Sequence, residues 1–267
     1  MFVCGCDLGS ATGKAVIMND DGIVSQAVIR ATTSPEKTAR LVLEEALERG
    51  GLSSLDDIQY IIGTGYGRQG VSFIKENISE ITCHVYGAHW LNPNVRTVID
   101  IGGQDCKVIS LDDRGKVLEF VMNDKCAAGT GRFFEAMARA MNCSIEELAS
   151  LSLESDNPAP ITKQCSVFAE SEVVTLINNG TNAADVAAGI HDSIARRLYS
   201  MVNKVSIEPE IALTGGGAIN EALVRSFEKR LGLTIARLPQ NPQITGALGA
   251  ALYARERAAK ERHNGGK

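Results

Sequence analysis

Two cysteines in the middle of the chain stand where a redox or metal site could form. Cys126 opens the segment CAAGTGRFFEAMARAM, and Cys165 opens CSVFAESEVVTLI 39 positions later. Both segments are predicted to be helices that begin at the cysteine, and a helix N-terminus lowers the pKa of a thiol. Thiolates are the protein ligands of Fe–S clusters, and a cubane cluster takes about four of them.

Two thiolates per chain would complete such a cluster only if a second subunit supplied the other two. A two-fold homodimer does this, because an isologous interface repeats the same surface patch from both subunits. The alternative is that both cysteines are small buried residues, which is the commoner role of a free cysteine. The residues alone leave both interpretations open.

The other cysteines and the histidines show no spacing typical of metal ligands. The seven cysteines form an odd and irregularly spaced set, which argues against a disulfide framework. Glu170 and Glu172, beside the second cysteine of the pair, could shape a partner surface or simply be solvated. We expect packing or surface roles for Cys4, Cys6, Cys106, Cys143, His84, His89 and His191.

A second pattern is a strand that ends in Asp and runs into a turn of Gly and small polar residues. It occurs twice, as CDLGSATGKAVIMNDDGIV and as IDIGGQDCKVISLDDRGKV, so one supersecondary unit is repeated. The backbone N–H groups of such turns can bind anions, and the Asp can hold Mg²⁺ through water. Either turn alone could be an ordinary hairpin turn, but two facing turns could clamp a polyphosphate.

A third glycine-rich turn, TGGGAIN at 214–220, permits the close approach of a flat ring or an α-phosphate. Together the three turns predict a cleft that binds a polyphosphate with Mg²⁺, in which Asp7 and Asp100 hold the metal through water. Gln104 is our candidate for orienting the attacking water, by analogy with other nucleotidases, and a loop hydrogen bond is its alternative role. The predicted nucleotide ligands are Gly9, Ser10, Thr12, Lys14, Gly102, Gly103, Gly215, Gly216, Gly217 and Gln243.

One further glycine motif does not indicate a dinucleotide site. The segment GYGRQG at 65–70 matches the pattern GxGxxG after a strand. It lacks an acidic residue at the end of a following strand about 20 positions on, as that fold requires. We therefore predict neither nicotinamide nor flavin binding.

The elements predicted around these turns describe an α/β protein. Residues 2–30 favour three strands with a turn at 19–22, and PEKTARLVLEEALER is typical of a helix with Pro35 in its first turn. Helices follow the second copy of the repeat, and Ser144 with Glu147 predicts a capping box on one of them. The strand PEIALT, a helix, a strand GLTIARL at 232–238 and a closing helix complete the chain.

Composition limits the classes of function. The formal net charge of -5 provides no basic surface for nucleic acid. No apolar run approaches the roughly 20 residues that cross a bilayer, and MFVCGCDLG has no basic segment of a secretory signal. We expect a cytoplasmic protein, and a chain of 267 residues is long enough for two lobes.

The three turns, in this order and spacing, resemble the phosphate-1, phosphate-2 and adenosine segments of the acetate and sugar kinase, Hsp70 and actin superfamily. That resemblance implies two ribonuclease-H-like, actin-like ATPase lobes with a nucleotide cleft between them, which binds ATP or ADP with Mg²⁺. On this basis we assign residues 1–95 and 244–267 to the first lobe, and residues 96–243 to the second. A small-molecule kinase and a nucleotide-dependent scaffold of the same superfamily are the alternatives.

A closer resemblance is carried by TGYGR, DIGGQDCKV, MNDKCAAGTGRF, CSVFAESEV, AGIH, TGGG and GALGAALYA. From about residue 3 to residue 254 the chain resembles the activators of 2-hydroxyacyl-CoA dehydratases, in the BadF/BadG/BcrA/BcrD ATPase family. The resemblance implies that Cys126 and Cys165 ligate one 4Fe-4S cluster per homodimer. It also implies an ATP-driven electron transfer from ferredoxin or flavodoxin to an Fe–S acceptor enzyme, which could be a dehydratase, a benzoyl-CoA reductase core or a double-cubane protein.

Overall fold

The first lobe is built on a five-stranded mixed sheet. In this computed structural model, which describes residues 1–265, the spatial order of its strands is β3-β2-β1-β4-β5. The neighbours β1 and β2 are antiparallel, whereas β1 and β4 are parallel. The strands are β1 (Phe2–Leu8), β2 (Thr12–Met18), β3 (Ile23–Arg30), β4 (Ile58–Thr64) and β5 (Glu76–Asn77).

The second lobe repeats this arrangement with four strands in the order β8-β7-β6-β9. Asp7 pairs with Lys14 across β1 and β2, and Asp100 pairs with Lys107 in the corresponding register of β6 and β7. The duplication predicted from the sequence is therefore confirmed as a structural repeat. The strands are β6 (Thr97–Ile101), β7 (Cys106–Leu111), β8 (Val117–Asn123) and β9 (Ile211–Thr214).

Helices cover both sheets, and their ends follow the predicted capping signals. The Ser34 side chain accepts a hydrogen bond from the backbone of Lys37 at the start of α1, and Ser144 with Glu147 forms the predicted capping box. No helix among residues 1–265 is long and apolar enough to span a membrane. The helices are α1 (Pro35–Arg49), α2 (Glu80–Leu91), α3 (Gly131–Ala140), α4 (Ile145–Leu153), α5 (Ser166–Asn178), α6 (Ala183–Val202), α7 (Glu221–Leu231) and α8 (Thr245–Gly265).

The closing helix α8 lies unusually close to β1 and α2. A Cβ on Gly5 would lie 2.0 Å from the carbonyl oxygen of Ala247, and a Cβ on Gly87 would lie 2.2 Å from that of Thr245. Both positions therefore require glycine, because a side chain would overlap backbone atoms. This close approach brings the first turn of α8 to the ends of β1 and β6.

Helix α2 is absent from the predicted elements, and it packs against both lobes. Its Cys83 belongs to the apolar cluster that includes the alanine-rich face of α8. Its Val85 and Ala88 pack instead with Val98 and Ile109 of the second sheet. Any change in the angle between the lobes must therefore act on α2.

The predicted strand at 232–238 is wrong. The structure has only a single bridge there, between Ala236 and Ala212 of β9. Gly232 ends α7 in the left-handed conformation, and the backbone N–H of Ile235 donates to the Glu228 carboxylate at 2.8 Å. On the side that faces β9, the N–H of Ala236 donates to the carbonyl of Ile211 at 2.8 Å, and the pairing extends no further.

Candidate functional site

A cavity of about 660 Å³ lies between the two sheets, within the usual size range of small-molecule sites. It is lined by residues from all three predicted turns and from the segment before α8. Every predicted nucleotide residue except Gln104 lines it, namely Asp7, Gly9, Ser10, Thr12, Lys14, Asp100, Gly102, Gly103, Gly215, Gly216, Gly217 and Gln243. The fold thus brings these residues together from opposite ends of the chain.

The first two turns meet across the cavity. A Cβ on Gly103 would lie 2.8 Å from Cβ of Ala11 and 3.0 Å from Oγ of Ser10. The third turn is equally close to the second lobe's carboxylate, since a Cβ on Gly215 would lie 2.6 Å from Oδ1 of Asp100. Gly215 also has φ of 81°, in the left-handed region that favours glycine. The glycines therefore keep backbone N–H groups close to any bound phosphate.

Each lobe places an equivalent Asp–Lys pair at the cavity. Asp7 and Lys14 are cross-strand neighbours, and Oδ2 of Asp7 lies 3.2 Å from Nζ of Lys14. Lys107 has the same position in the second lobe, with Nζ 3.1 Å from Oδ2 of Asp100. The sequence spacing from Asp to Lys is the same in both copies, so the repeat already contained the signal for Lys107.

Lys107 is the centre of a buried ionic cluster. Its Nζ also lies 2.7 Å from Oδ2 of Asp105 and 3.3 Å from Oε1 of Glu80. Burial alone would lower the pKa of Lys107, but these carboxylates raise it well above its ordinary value. Burial alone would raise the pKa of Asp100, but His84 and Lys107 together hold it well below its ordinary value.

The charges around the cavity suit a divalent cation. Among the groups joined by the ion pairs described above, four carboxylates face two ammonium groups, which leaves an excess of two negative charges when all are ionised. Within residues 1–265 no group of three or more His, Cys, Asp or Glu side chains is arranged to bind a metal directly. A Mg²⁺ ion that retains most of its water and carries the nucleotide phosphates fits this donor set. The carboxylates are Asp7, Asp100, Asp105 and Glu80, and the ammonium groups are those of Lys14 and Lys107.

Several residues of the site were missed by sequence reasoning. Gln104 is exposed between two turn residues that line the cavity, and its role in orienting water stays a prediction. Asp105, the next residue of the turn, lines the cavity and was not among the predicted site residues. His84 is buried, which agrees with a packing role, but it also lines the cavity beside Glu80. Glu80 and His84 both belong to the unpredicted helix α2, so no sequence motif indicated them.

The cysteines divide by exposure. Cys126 and Cys165 are exposed, whereas Cys143 is half-buried and the remaining four are buried. The expected packing roles of Cys4, Cys6 and Cys106 are therefore confirmed. The alternative that Cys126 and Cys165 are buried residues is wrong, because both are exposed. The burial of Cys4 raises the pKa of its thiol to about 12.

The two exposed cysteines occupy different backbone positions. Cys165 is the N-cap residue of α5, as predicted. The prediction that Cys126 begins a helix is wrong, because α3 starts at Gly131 with Thr130 as its N-cap. Gly129 has φ of 87°, and the N–H of Thr130 donates to the carbonyl of Ala127, so a turn separates the cysteine from the helix. The helix-dipole argument therefore applies directly only to Cys165.

The segments that carry these cysteines meet in space. Ala128 and Gly129, which follow Cys126, line a small cleft together with residues 162–164, which precede Cys165. Arg196 and Arg197 of α6 also line this cleft and add positive charge. The two thiol-bearing segments thus share one surface region of the second lobe.

Glu172 holds the second of these segments in place. Its carboxylate accepts hydrogen bonds from the backbone N–H of Thr162 at 2.9 Å and of Lys163 at 3.0 Å. Burial alone would raise the pKa of Glu172, but these hydrogen bonds lower it below its ordinary value. Glu172 is therefore an anchor for the segment before Cys165 and is not simply solvated, whereas its part in a partner surface stays a prediction.

Hydrogen bonds join the phosphate-2 turn to the segment of Cys126. The first N–H groups of α3, at Gly131 and Arg132, donate to the carbonyl oxygens of Gly102 and Gly103, both at 2.9 Å. Three residues after Gly103, at the start of β7, the Cys106 thiol donates to the carbonyl of Gly129 at 2.6 Å. Helix N-terminal N–H groups need such acceptors, because they have no partner within the helix. A shift of the turn must consequently move the backbone beside Cys126.

Two lobes with duplicated Asp–Lys strands and facing glycine turns define a two-lobed ATPase of the actin-like class. Residues 4–254 match the BadF/BadG/BcrA/BcrD ATPase family, and this chain belongs to that family. The prediction made from the sequence motifs is therefore confirmed for the family and the fold.

Individual relatives agree over nearly the full length. The activator of lactoyl-CoA dehydratase from Anaerotignum propionicum is 45% identical and aligns over 98% of this chain and all of its own length. The (R)-2-hydroxyglutaryl-CoA dehydratase activating ATPase of Acidaminococcus fermentans is 41% identical, with 97% and 99% of the two chains covered. A solved structure of the activator of the 2-hydroxyisocaproyl-CoA dehydratase from Clostridium difficile, with bound ADPNP, superposes with a TM-score of 0.94 at 40% identity and covers 99% of this chain and 98% of its own.

Proposed function

We propose that this chain is an ATP-dependent activator that delivers electrons to a 2-hydroxyacyl-CoA dehydratase. Both curated relatives described above are named for the activation of such dehydratases, and both align over nearly their whole length. The cavity residues would bind Mg-ATP and hydrolyse it to ADP and phosphate. This assignment favours a dehydratase over an aryl-CoA reductase core or a double-cubane protein as the acceptor.

We further propose that Cys126 and Cys165 hold one 4Fe-4S cluster between two copies of this chain. The exposed thiol pair is the observation that carries this proposal, because four other cysteines are buried and the segments beside Cys126 and Cys165 line one cleft. Two thiolates from each subunit would complete the usual ligand set of a cubane cluster. When bound, the cluster would supply one-electron transfer.

The balance of the reaction is simple. One electron enters from a ferredoxin or flavodoxin and leaves to an Fe–S group of the acceptor enzyme. ATP and water become ADP and phosphate in the cavity. The hydrolysis would change the potential of the electron carrier only if the cavity and the thiols are mechanically connected.

The bonds from Gly102, Gly103 and Cys106 to the segment of Cys126 support such a connection. They are short backbone and thiol contacts inside one lobe, and no long flexible linker intervenes. A nucleotide that repositions the phosphate-2 turn would therefore alter the surroundings of the thiol. Such changes in environment and solvent exposure are among the factors that set the potential of an Fe–S cluster.

Two sets of variants separate the two halves of the proposal. After anaerobic preparation, Cys126→Ala and Cys165→Ala should lose the iron and the visible absorbance and still bind ATP. Asp7→Ala and Asp100→Ala should keep the iron and lose Mg-ATP turnover. Cys143→Ala, which removes a half-buried cysteine of the same lobe, is the matched control and should keep both properties. Full iron content in both variants of the pair would refute the cluster assignment.

A further inference from the structure

Helix α2 carries two polar side chains that enter the nucleotide cavity from outside the three turns. Glu80 and His84 lie one helical turn apart on α2, and both line the cavity. Glu80 contacts Lys107 of the second sheet, as described above. The role of His84, whose side chain is almost fully buried in this charged site, remains to be explained.

One side of the His84 ring is committed to the second lobe. Its Nδ1 lies 3.0 Å from Oγ1 of Thr214 and 3.3 Å from Oδ1 of Asp100. The Thr214 hydroxyl donates to the same carboxylate oxygen at 3.0 Å. Because that hydroxyl has given its only proton to Asp100, it must accept from the ring, so Nδ1 carries the hydrogen. The three groups form a closed triangle that fixes the orientation of Asp100.

The other side of the ring faces the first lobe. A Cβ on Gly246, in the first turn of α8, would lie 2.8 Å from Nε2 of His84 and 3.1 Å from Oδ2 of Asp7. The missing side chain at Gly246 thus leaves room for both groups in one small space. The imidazole therefore stands between the two carboxylates that the two lobes contribute.

We propose that His84 is a positioning residue for ATP hydrolysis, which holds Asp100 and Thr214 in the geometry that binds the hydrated Mg²⁺ of the nucleotide. In hydrolysis the oxygen of water bonds to the γ-phosphorus, the bond to the ADP oxygen breaks, and the proton of water passes to solvent. His84 takes no part in these exchanges and acts through Asp100. The inference rests on the ATP hydrolysis of the proposed function and is independent of the cluster.

Comparison with Asp7 in the first lobe shows why Asp100 needs an additional positioning residue. Thr64 pairs with Asp7 across β4 and β1 as Thr214 pairs with Asp100 across β9 and β6. Asp7, however, is held by Lys14 at the open end of its turn, whereas Asp100 is shared between Lys107, Thr214 and the ring. Loss of the ring would leave Oδ1 of Asp100 with the Thr214 hydroxyl and without the contact from Nδ1, which loosens the carboxylate.

The test compares His84→Ala and His84→Asn by steady-state ATP hydrolysis at varied ATP and varied Mg²⁺. Asn places an amide N–H near the position of Nδ1, so it keeps the donor that Ala removes. We expect kcat of the Ala variant to fall about 10- to 100-fold, with the Mg²⁺ concentration for half-maximal rate raised severalfold and a smaller change in KM for ATP. The Asn variant should recover most of both effects.

His89→Ala is the control, because His89 lies on the same helix next to Gly115 and outside the cavity. It should match the wild type. The inference is overturned if the Ala variant has the wild-type kcat. It is also overturned if the Mg²⁺ dependence of the Ala variant is unchanged and the Asn variant does not recover the lost rate. If the Ala variant does not fold, the Asn variant decides: because it keeps the donor, its Mg²⁺ dependence should be close to that of the wild type, and a strongly shifted Mg²⁺ dependence would overturn the inference. A wild type that hydrolyses no ATP would instead refute the proposed function.

Discussion

Replacing Lys107 with Met should destabilise the protein strongly, because three carboxylates would lose their shared cation. The Lys107 side chain is only 2% exposed, and its Nζ lies within 3.3 Å of Asp100, Asp105 and Glu80. Met keeps a flexible apolar stem of similar length, so the packing of the stem should be retained. The loss in the free energy of unfolding therefore reports mainly the removal of the ionic interactions, and only to a small extent a cavity left in the core.

The expected size follows from the burial of the cluster. Removing one partner of a buried ion pair costs about 3–5 kcal/mol, since the remaining charge stays buried without compensation. Here the excess negative charge of the cavity would also rise by one. The loss in the free energy of unfolding should shrink as the pH falls toward about 4, where carboxylates without a cation become protonated.

Urea unfolding at neutral pH gives the required free energies, provided that the slope with urea is the same for both proteins. Lys75→Met is the control, because Lys75 is half-exposed and its Nζ lies 3.9 Å from Glu261. The control should lose no more than about 1 kcal/mol. A loss for Lys107→Met that does not exceed the control would refute the view that this lysine holds the carboxylates of the cavity.

Two further predictions concern the second lobe. Cys106→Ala removes the hydrogen bond to Gly129. In the iron-free protein, a non-hydrolysable ATP analogue should therefore change the alkylation rate of Cys126 less in this variant than in the wild type. An equal change in the two proteins would contradict the proposed connection. Burial lowers the pKa of His191 from 6.5 to about 4. Between pH 6.5 and 4 the unfolded chain therefore binds a proton at this histidine that the folded chain does not bind. The free energy of unfolding should fall by about 3 kcal/mol as the pH is lowered through this range. His191→Gln should lose this component of the pH dependence in urea titrations, and an unchanged slope would count against it.

The repeated unit was predictable because its pattern is local. A strand, an Asp, a glycine turn and a second strand follow each other within about twenty residues in both copies, and the hairpin register then fixes the Asp–Lys pairs. Capped helices such as α4 were predictable for the same reason. These features need no information from distant parts of the chain.

The parts that sequence reasoning missed depend on tertiary contacts. The segment at 232–238 has strand-like residues, but it forms only a single bridge with β9, at Ala236. Cys126 precedes helix-like sequence, but the left-handed Gly129 delays the helix. Glu80 and His84 acquire their partners only when α2 is packed between the lobes. None of these outcomes is encoded in a short motif.

The most direct test of the account is the mass and iron content of the wild-type protein prepared without oxygen. The proposal predicts a dimer with about four iron atoms per two chains, and the loss of that iron when either Cys126 or Cys165 is replaced. A monomer without iron, prepared under the same conditions and active as an ATPase, would contradict the proposal that the two exposed thiols build a shared electron carrier.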